Sequence, residues 1–150
     1  MARAIALSLE NIRANRGGPF AAVIVKNGKI LAEGTNRVTS TNDPTAHAEI
    51  IAIREACRKL KHFDLSACKI YATCEPCPMC LGAIYWARLA KIYFASTAAD
   101  AAKIGFDDSA IYREIRRPSA KRRIPMNSLM RGDALKAFRA WENKKDKIPY

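Results

Sequence analysis

Long apolar runs are missing from this chain of 150 residues, and none approaches the roughly 20 residues of a membrane-spanning helix. The first nine residues are fairly apolar, but Glu10 and Arg13 follow and no cleavage site comes after them, so a signal peptide is not expected. Internal repeats, linkers and low-complexity segments are absent as well. Acidic residues are scarce: 14 Asp and Glu stand against 26 Lys and Arg, a net charge of +12. That imbalance suits nucleic acid or an anionic surface but decides nothing alone. Hydrophobic residues at 49% and charged residues at 27% exclude disorder as the main state. The length is that of one domain, residues 1–150, large enough to bury a core without disulfides. The five cysteines cannot all pair within one chain, and three of them crowd into residues 74–80. This reads as a metal site in a reducing compartment, the cytoplasm, and not as a disulfide scaffold.

Ala2, Ile5, Leu9 and Ile12 have helical spacing, and Gly17-Gly18-Pro19 stops that helix. Phe20 to Val25 and Ile30 to Ala32, joined by Asn27-Gly28, read as a β-hairpin. Asp43-Pro44-Thr45 starts a helix that runs to Leu60. A strand over 69–73, a helix over 78–88 and a strand over 91–95 follow, then an Ala-rich helix over 97–104. Alternation of strand and helix implies crossover connections, so the expected fold is α/β, a mixed sheet with helices on both faces. Residues 113–123 hold six basic residues against one acid and read as an irregular arm. The last helix, over 133–143, carries Leu135, Phe138 and Trp141 on one face.

Two segments carry chemistry. Thr45-Ala46-His47-Ala48-Glu49 supplies His-x-Glu, and Cys74-Glu75-Pro76-Cys77-Pro78-Met79-Cys80 supplies Pro-Cys-x-x-Cys. Cys77 and Cys80 are one helical turn apart, so both sulfurs can face one point. A helix N-terminus favours the thiolate that zinc needs. With His47 as a third donor, one zinc ion would keep an open tetrahedral position, the arrangement of a working site. Glu49 lies two residues from His47, and such residues converge only at a helix end. There it can move protons without binding the metal. A closed structural site with Cys74 as fourth ligand is the competing reading, but it leaves His-x-Glu unused. Cys74 reads as a strand-end packing residue, Cys57 and Cys68 as core thiols, and His62 as a loop residue.

The combination of His-x-Glu with Pro-Cys-x-x-Cys is the signature of zinc deaminases, and the chain resembles the cytidine deaminase superfamily. The resemblance extends through Gly17-Gly18-Pro19-Phe20, Asn42 to Glu49 and Glu75 to Arg88. Leu81 to Arg88 and Gly105-Phe106-Asp107-Asp108-Ser109 are similar, more narrowly, to the bacterial guanine deaminases. The resemblance implies a three-layer α/β/α sandwich around a five-stranded mixed sheet, and hydrolysis of guanine to xanthine and ammonia. It implies zinc on His47, Cys77 and Cys80, and proton transfer by Glu49 with Asp108 as a second acid. Asn36 would hydrogen-bond the purine, Ala46 and His47 would adjoin it, and Phe20, Trp86 and Phe106 would wall it. It further implies a homodimer that exchanges the segment 133–150, with Tyr150 closing the partner's site. One departure is visible: Ala21 stands where the family has Gly, so a shifted hairpin is expected.

A tRNA adenosine deaminase is the competing enzyme, favoured by the charge and by residues 113–123. Nucleic acid is nonetheless not the expected partner, because Trp86 and Gly105 to Asp108 do not fit that reading. Guanosine and other amino-heterocycles remain open as substrates. A zinc-stabilised RNA-binding module is the alternative without catalysis.

Overall fold

The computed structural model describes residues 1–149; Tyr150, the expected closing residue, lies outside the described residues. The hairpin forms as the sequence indicates. Strand β1 (Ala21–Lys26) pairs antiparallel with β2 (Lys29–Thr35), Ala21 opposite Thr35. Asn27 and Gly28, both at positive φ (50° and 75°), make the turn, which matches the twist of paired strands. On its other side β1 pairs antiparallel with β3 (Cys68–Cys74), and β3 pairs parallel with β4 (Lys91–Ser96). The sheet order is β2-β1-β3-β4. It follows that β2, β3 and β4 all run one way, with β1 reversed among them. Their C-terminal ends, and the N-terminal end of β1, share one rim.

Alternation along β1 divides the helices between two faces. Ala21 and Val23 pack against Ala4 and Leu7 of α1 (Ala2–Arg13). Ala22 and Ile24 pack on the other side against Ala48, Ala52 and Ala56 of α3 (Ala48–Leu60) and Ile84 of α4 (Pro78–Trp86). The short helix α2 (Val38–Thr41) links β2 to α3. These are the three layers. The alanines at 48, 52 and 56 form one smooth ridge, so α3 lies close on the sheet. A Cβ on Gly34 would stand 2.2 Å from the Ala48 carbonyl oxygen, so only glycine permits this approach.

The structure fixes the buried face of the first helix and corrects the expected number of strands. The buried face of α1 is Ala4, Leu7, Ser8 and Asn11, while Ile5, Leu9 and Ile12 are exposed. Both sets have helical spacing; the structure selects the one with small residues, which lets α1 settle against the sheet. The sheet has four strands among the described residues, not five. After β4 the chain turns into α5 (Ala98–Lys103) and α6 (Ser109–Arg116), then a 3-10 turn (Ser119–Lys121) and α7 (Arg131–Asn143). Between α6 and α7, Pro118 and Pro125 lack the N–H that a ladder needs, and Lys121, Arg122 and Arg123 offer no apolar face.

The chain forms two compact units, Met1–Ala110 and Ile111–Tyr150. The first contains the sheet. In the second, Arg122 closes α6 by donating to the carbonyls of Ile115 and Arg117, each at 3.2 Å. Glu114 accepts from Arg117 at 2.7 Å and from the Arg123 N–H at 2.6 Å. Helix α7 buries none of its residues, so the apolar face with Phe138 and Trp141 is exposed.

Candidate active site

His47 and Cys77 occupy equivalent places. Each is the N-cap of its helix, His47 of α3 and Cys77 of α4, with Pro78 opening the latter. Neither is one of the oxygen-bearing residues usual at that position. Cys80, three residues into α4, is buried. The two helix N-termini thus face a common point at the rim of the sheet, and their dipoles favour negative sulfur there. His47 Nδ1 lies 3.5 Å from Cys77 Sγ and 3.6 Å from Cys80 Sγ. Ordinary Zn–S and Zn–N bonds at a tetrahedral angle put such donor pairs about 3.6 Å apart. The donor spacing and chemistry therefore fit one zinc ion, with a position to spare.

The protonation of these groups is divided. Hydrogen bonding from the Cys80 thiol, and then from His47, lowers the Cys77 thiol from 9.0 to about 4. The same contact with Cys77, together with burial, pushes the Cys80 thiol up. His47 is raised, first by its hydrogen bond to Cys77. Glu49 is only 8% exposed, and burial raises its carboxyl. A buried carboxyl with a raised affinity for protons is what a proton carrier needs. Glu49 reaches the site because His47 is the cap and Glu49 sits in the first turn. That is the helix-end convergence the sequence spacing demands.

Around this centre the sequence-derived residues gather unequally. Asn36, directly after β2, is buried, and its N–H donates to the Phe20 carbonyl at 2.9 Å. Phe20 and Phe106 meet edge to face with centroids 4.9 Å apart. Ala46 is buried and its carbonyl accepts from Arg37 N–H at 2.9 Å. Asp108 is half-buried; burial raises its carboxyl, and the charge of Cys77 adds to the effect. Asp107 accepts from the Ser109 N–H at 2.9 Å, an Asx turn that leads into α6. Trp86, on α4, is 70% exposed beside Gly82, Tyr85 and Arg88. Cys74 is turned away from the three donors, its thiol donating to the Thr97 carbonyl at 3.6 Å. Ala21 pairs with Thr35 and donates its N–H to Thr73 Oγ1 at 3.0 Å, and the register of β1 with β2 shifts further along, between Ile24 and Val25.

Sequence reasoning missed two supporting residues. Glu75 accepts from the Ala98 N–H at 3.0 Å, and its own N–H donates to the Ser96 carbonyl. It thereby ties the segment before Cys77 to the start of α5; its place inside the cysteine motif was the signal. Asn11 is 2% exposed and donates to two loop carbonyls. Its signal was the 4-7-8-11 spacing.

Three donors that leave a metal position open, with a proton carrier beside them, are the design of a zinc hydrolase. The chain belongs to the cytidine and deoxycytidylate deaminase family, whose zinc-binding region matches residues 1–96. It is 53% identical over 148 residues to the guanine deaminase of Bacillus subtilis (strain 168), covering 99% of this chain and 95% of the relative. The crystal structure of guanine deaminase from Bacillus subtilis superposes with a TM-score of 0.96 at 52% identity, over 99% of this chain and 95% of that one. The tRNA-specific adenosine deaminase of Aquifex aeolicus (strain VF5) is 46% identical over 78 residues, 52% of each chain.

Proposed function

We propose that this protein is a zinc-dependent guanine deaminase, converting guanine and water to xanthine and ammonia. The observation that carries the reading is the spacing of His47, Cys77 and Cys80 for zinc with the buried Glu49 beside them. The substrate rests on similarity along the whole length to a guanine deaminase, against matches over half the chain to tRNA deaminases.

His47, Cys77 and Cys80 hold the metal, which supplies a Lewis acid able to make water nucleophilic near neutral pH. Glu49 accepts the proton of the attacking water and returns it to a ring nitrogen of the purine. Asp108 donates a proton to the amino group and regains one from the newly added hydroxyl, so that nitrogen departs as ammonia, the ring carbon keeps the oxygen as a carbonyl, and both acids return to their starting states. Asn36 orients the base, with Phe20, Phe106 and Trp86 as apolar walls and Ala46 and His47 adjoining it. Residues 1–150 act as one deaminase domain in a homodimer that exchanges the segment 133–150, with Tyr150 closing the partner's site. The exposed Phe138 and Trp141 support that exchange. A cytoplasmic location suits five cysteines that are all free.

The test is ammonia release by the purified zinc-loaded protein from guanine, guanosine, adenine, cytosine and tRNA. Guanine is expected to be fastest. Faster release from guanosine or tRNA overturns the substrate assignment.

A further inference from the structure

We propose that Asn11 is a positioning residue that, with Gly17, fixes the side-chain amide of Asn36 as a hydrogen-bond donor to the substrate. The inference rests on the guanine deaminase reading and concerns how its base-binding residue is held.

Three of the four polar groups of Asn36 are committed to the protein. Its N–H donates to the Phe20 carbonyl. Its carbonyl oxygen accepts from Asn11 Nδ2 at 2.9 Å. Its side-chain Oδ1 accepts from the N–H of Gly18 at 3.2 Å and of Val38 at 3.3 Å. Two N–H donors facing one side-chain atom leave no doubt which end of the amide is oxygen. The amide nitrogen is therefore the group left to meet a ligand, and it can only donate. A fixed donor reads an acceptor. The O6 and N7 edge of guanine offers acceptors, whereas adenine replaces the carbonyl with an amine.

Asn11 holds this arrangement from beneath. Its single amide nitrogen donates to both the Asn36 carbonyl and the Gly18 carbonyl, the latter at 3.1 Å. It thus bridges the two loops that grip the Asn36 side chain. Asn11 sits on the buried face of α1, and its Oδ1 has no hydrogen-bond partner among the described residues. Burying an unpartnered oxygen costs stability, and leucine at the same position would avoid that cost. The two donations are what the asparagine contributes in return. Gly17 acts from the opposite side: a Cβ there would lie 2.4 Å from the Asn36 carbonyl oxygen and 2.7 Å from its Oδ1.

The experiment compares Asn11→Leu, Gly17→Ala and Asn36→Ala with the unmodified zinc-loaded enzyme, and N11L/N36A with N36A. Kinetics on guanine are paired with thermal unfolding and zinc content. The affinity of E49Q and E49Q/N11L for guanine is measured by calorimetry. We expect N11L to fold and keep its zinc, with a lowered unfolding temperature because the Asn36 and Gly18 carbonyls lose their donor, while KM rises about ten-fold, the loss of one well-placed hydrogen bond. The affinity of E49Q/N11L should fall in the same proportion, and kcat per zinc should stay within about two-fold. In the N36A background the N11L change should have no further effect on KM, because Asn11 acts through Asn36. G17A should raise KM likewise, and it decides the matter if N11L does not fold. Unchanged KM in a folded, zinc-loaded variant overturns the role of Asn11, as does an equal KM increase with and without Asn36. Failure of the unmodified enzyme to release ammonia from guanine instead overturns the functional reading and this inference with it.

Discussion

The Cys80 thiol donates to Glu49 Oε2 across 3.4 Å, joining the first turn of α3 to the first turn of α4. A carboxylate one hydrogen bond from a metal-donor sulfur is placed to serve a ligand of that metal. Glu49→Gln keeps the shape and removes the proton exchange. Zinc content by metal analysis should be unchanged while kcat for ammonia release falls about 10²–10⁴-fold. A variant that retains half its turnover contradicts the proton-carrier role.

The cysteines differ in what they should lose. Cys77→Ser and Cys80→Ser each remove one of the three close donors, so both proteins should purify with little zinc. Cys74→Ser should keep a full complement, because that thiol faces the Thr97 carbonyl. Loss of zinc from C74S would support a closed, four-ligand structural site.

Gly34 allows β2 and α3 to touch. Gly34→Ala would drive a Cβ to 2.2 Å from one α3 backbone atom and 2.6 Å from another, neither of which can rotate away. The expected cost is about 3 kcal/mol of unfolding free energy, read from the denaturant midpoint. Since α3 begins at His47 and Glu49, weakened zinc retention should accompany it.

These contrasts show how far the residues alone could take the reading. His47, Cys77 and Cys80 were legible because metal chemistry fixes both their types and their spacing. The four strands were legible from apolar runs and turn residues. The face of α1 was not, because Ile5-Leu9-Ile12 and Ala4-Leu7-Asn11 are equally periodic and only close packing on the sheet separates them. The fifth strand came from the resemblance alone, no apolar run after residue 96 suggested it, and the described residues hold four. The pocket role of Trp86 came from the resemblance, since no spacing or periodicity marks that residue as a wall.

Acid should find a weak point in α5. Asp100 is held at about 2 by hydrogen bonds from the Thr97 hydroxyl and N–H, against an ordinary 3.8. A folded value below the unfolded one stabilises the folded chain above the unfolded pKa. That stabilisation is complete above about pH 4 and fades as pH falls toward 2. Denaturant midpoints taken across this window should fall less steeply for Asp100→Asn than for the unmodified protein. The variant should also be the less stable of the two at neutral pH, having lost the ionised partner of the Thr97 cap.

The face of α7 offers a test of assembly. Replacing Phe138 and Trp141 with serine should leave helix content unchanged, since neither is buried within its own chain. Sedimentation should then show a shift from dimer toward monomer. A monomeric unmodified protein would remove the exchange of 133–150 from the mechanism.

The common direction of β2, β3 and β4 has one more consequence. The three metal donors lie at one end of the strands, beyond the C-terminal end of β3, and the β1-β2 turn lies at the other. The Asn27-Gly28 turn is open: its positive φ keeps glycine at 28, but no atom lies within 4 Å of a Cβ built there. A fluorophore, an affinity tag or an inserted peptide can be carried at that turn at little expense to chemistry, with the whole length of the sheet as insulation.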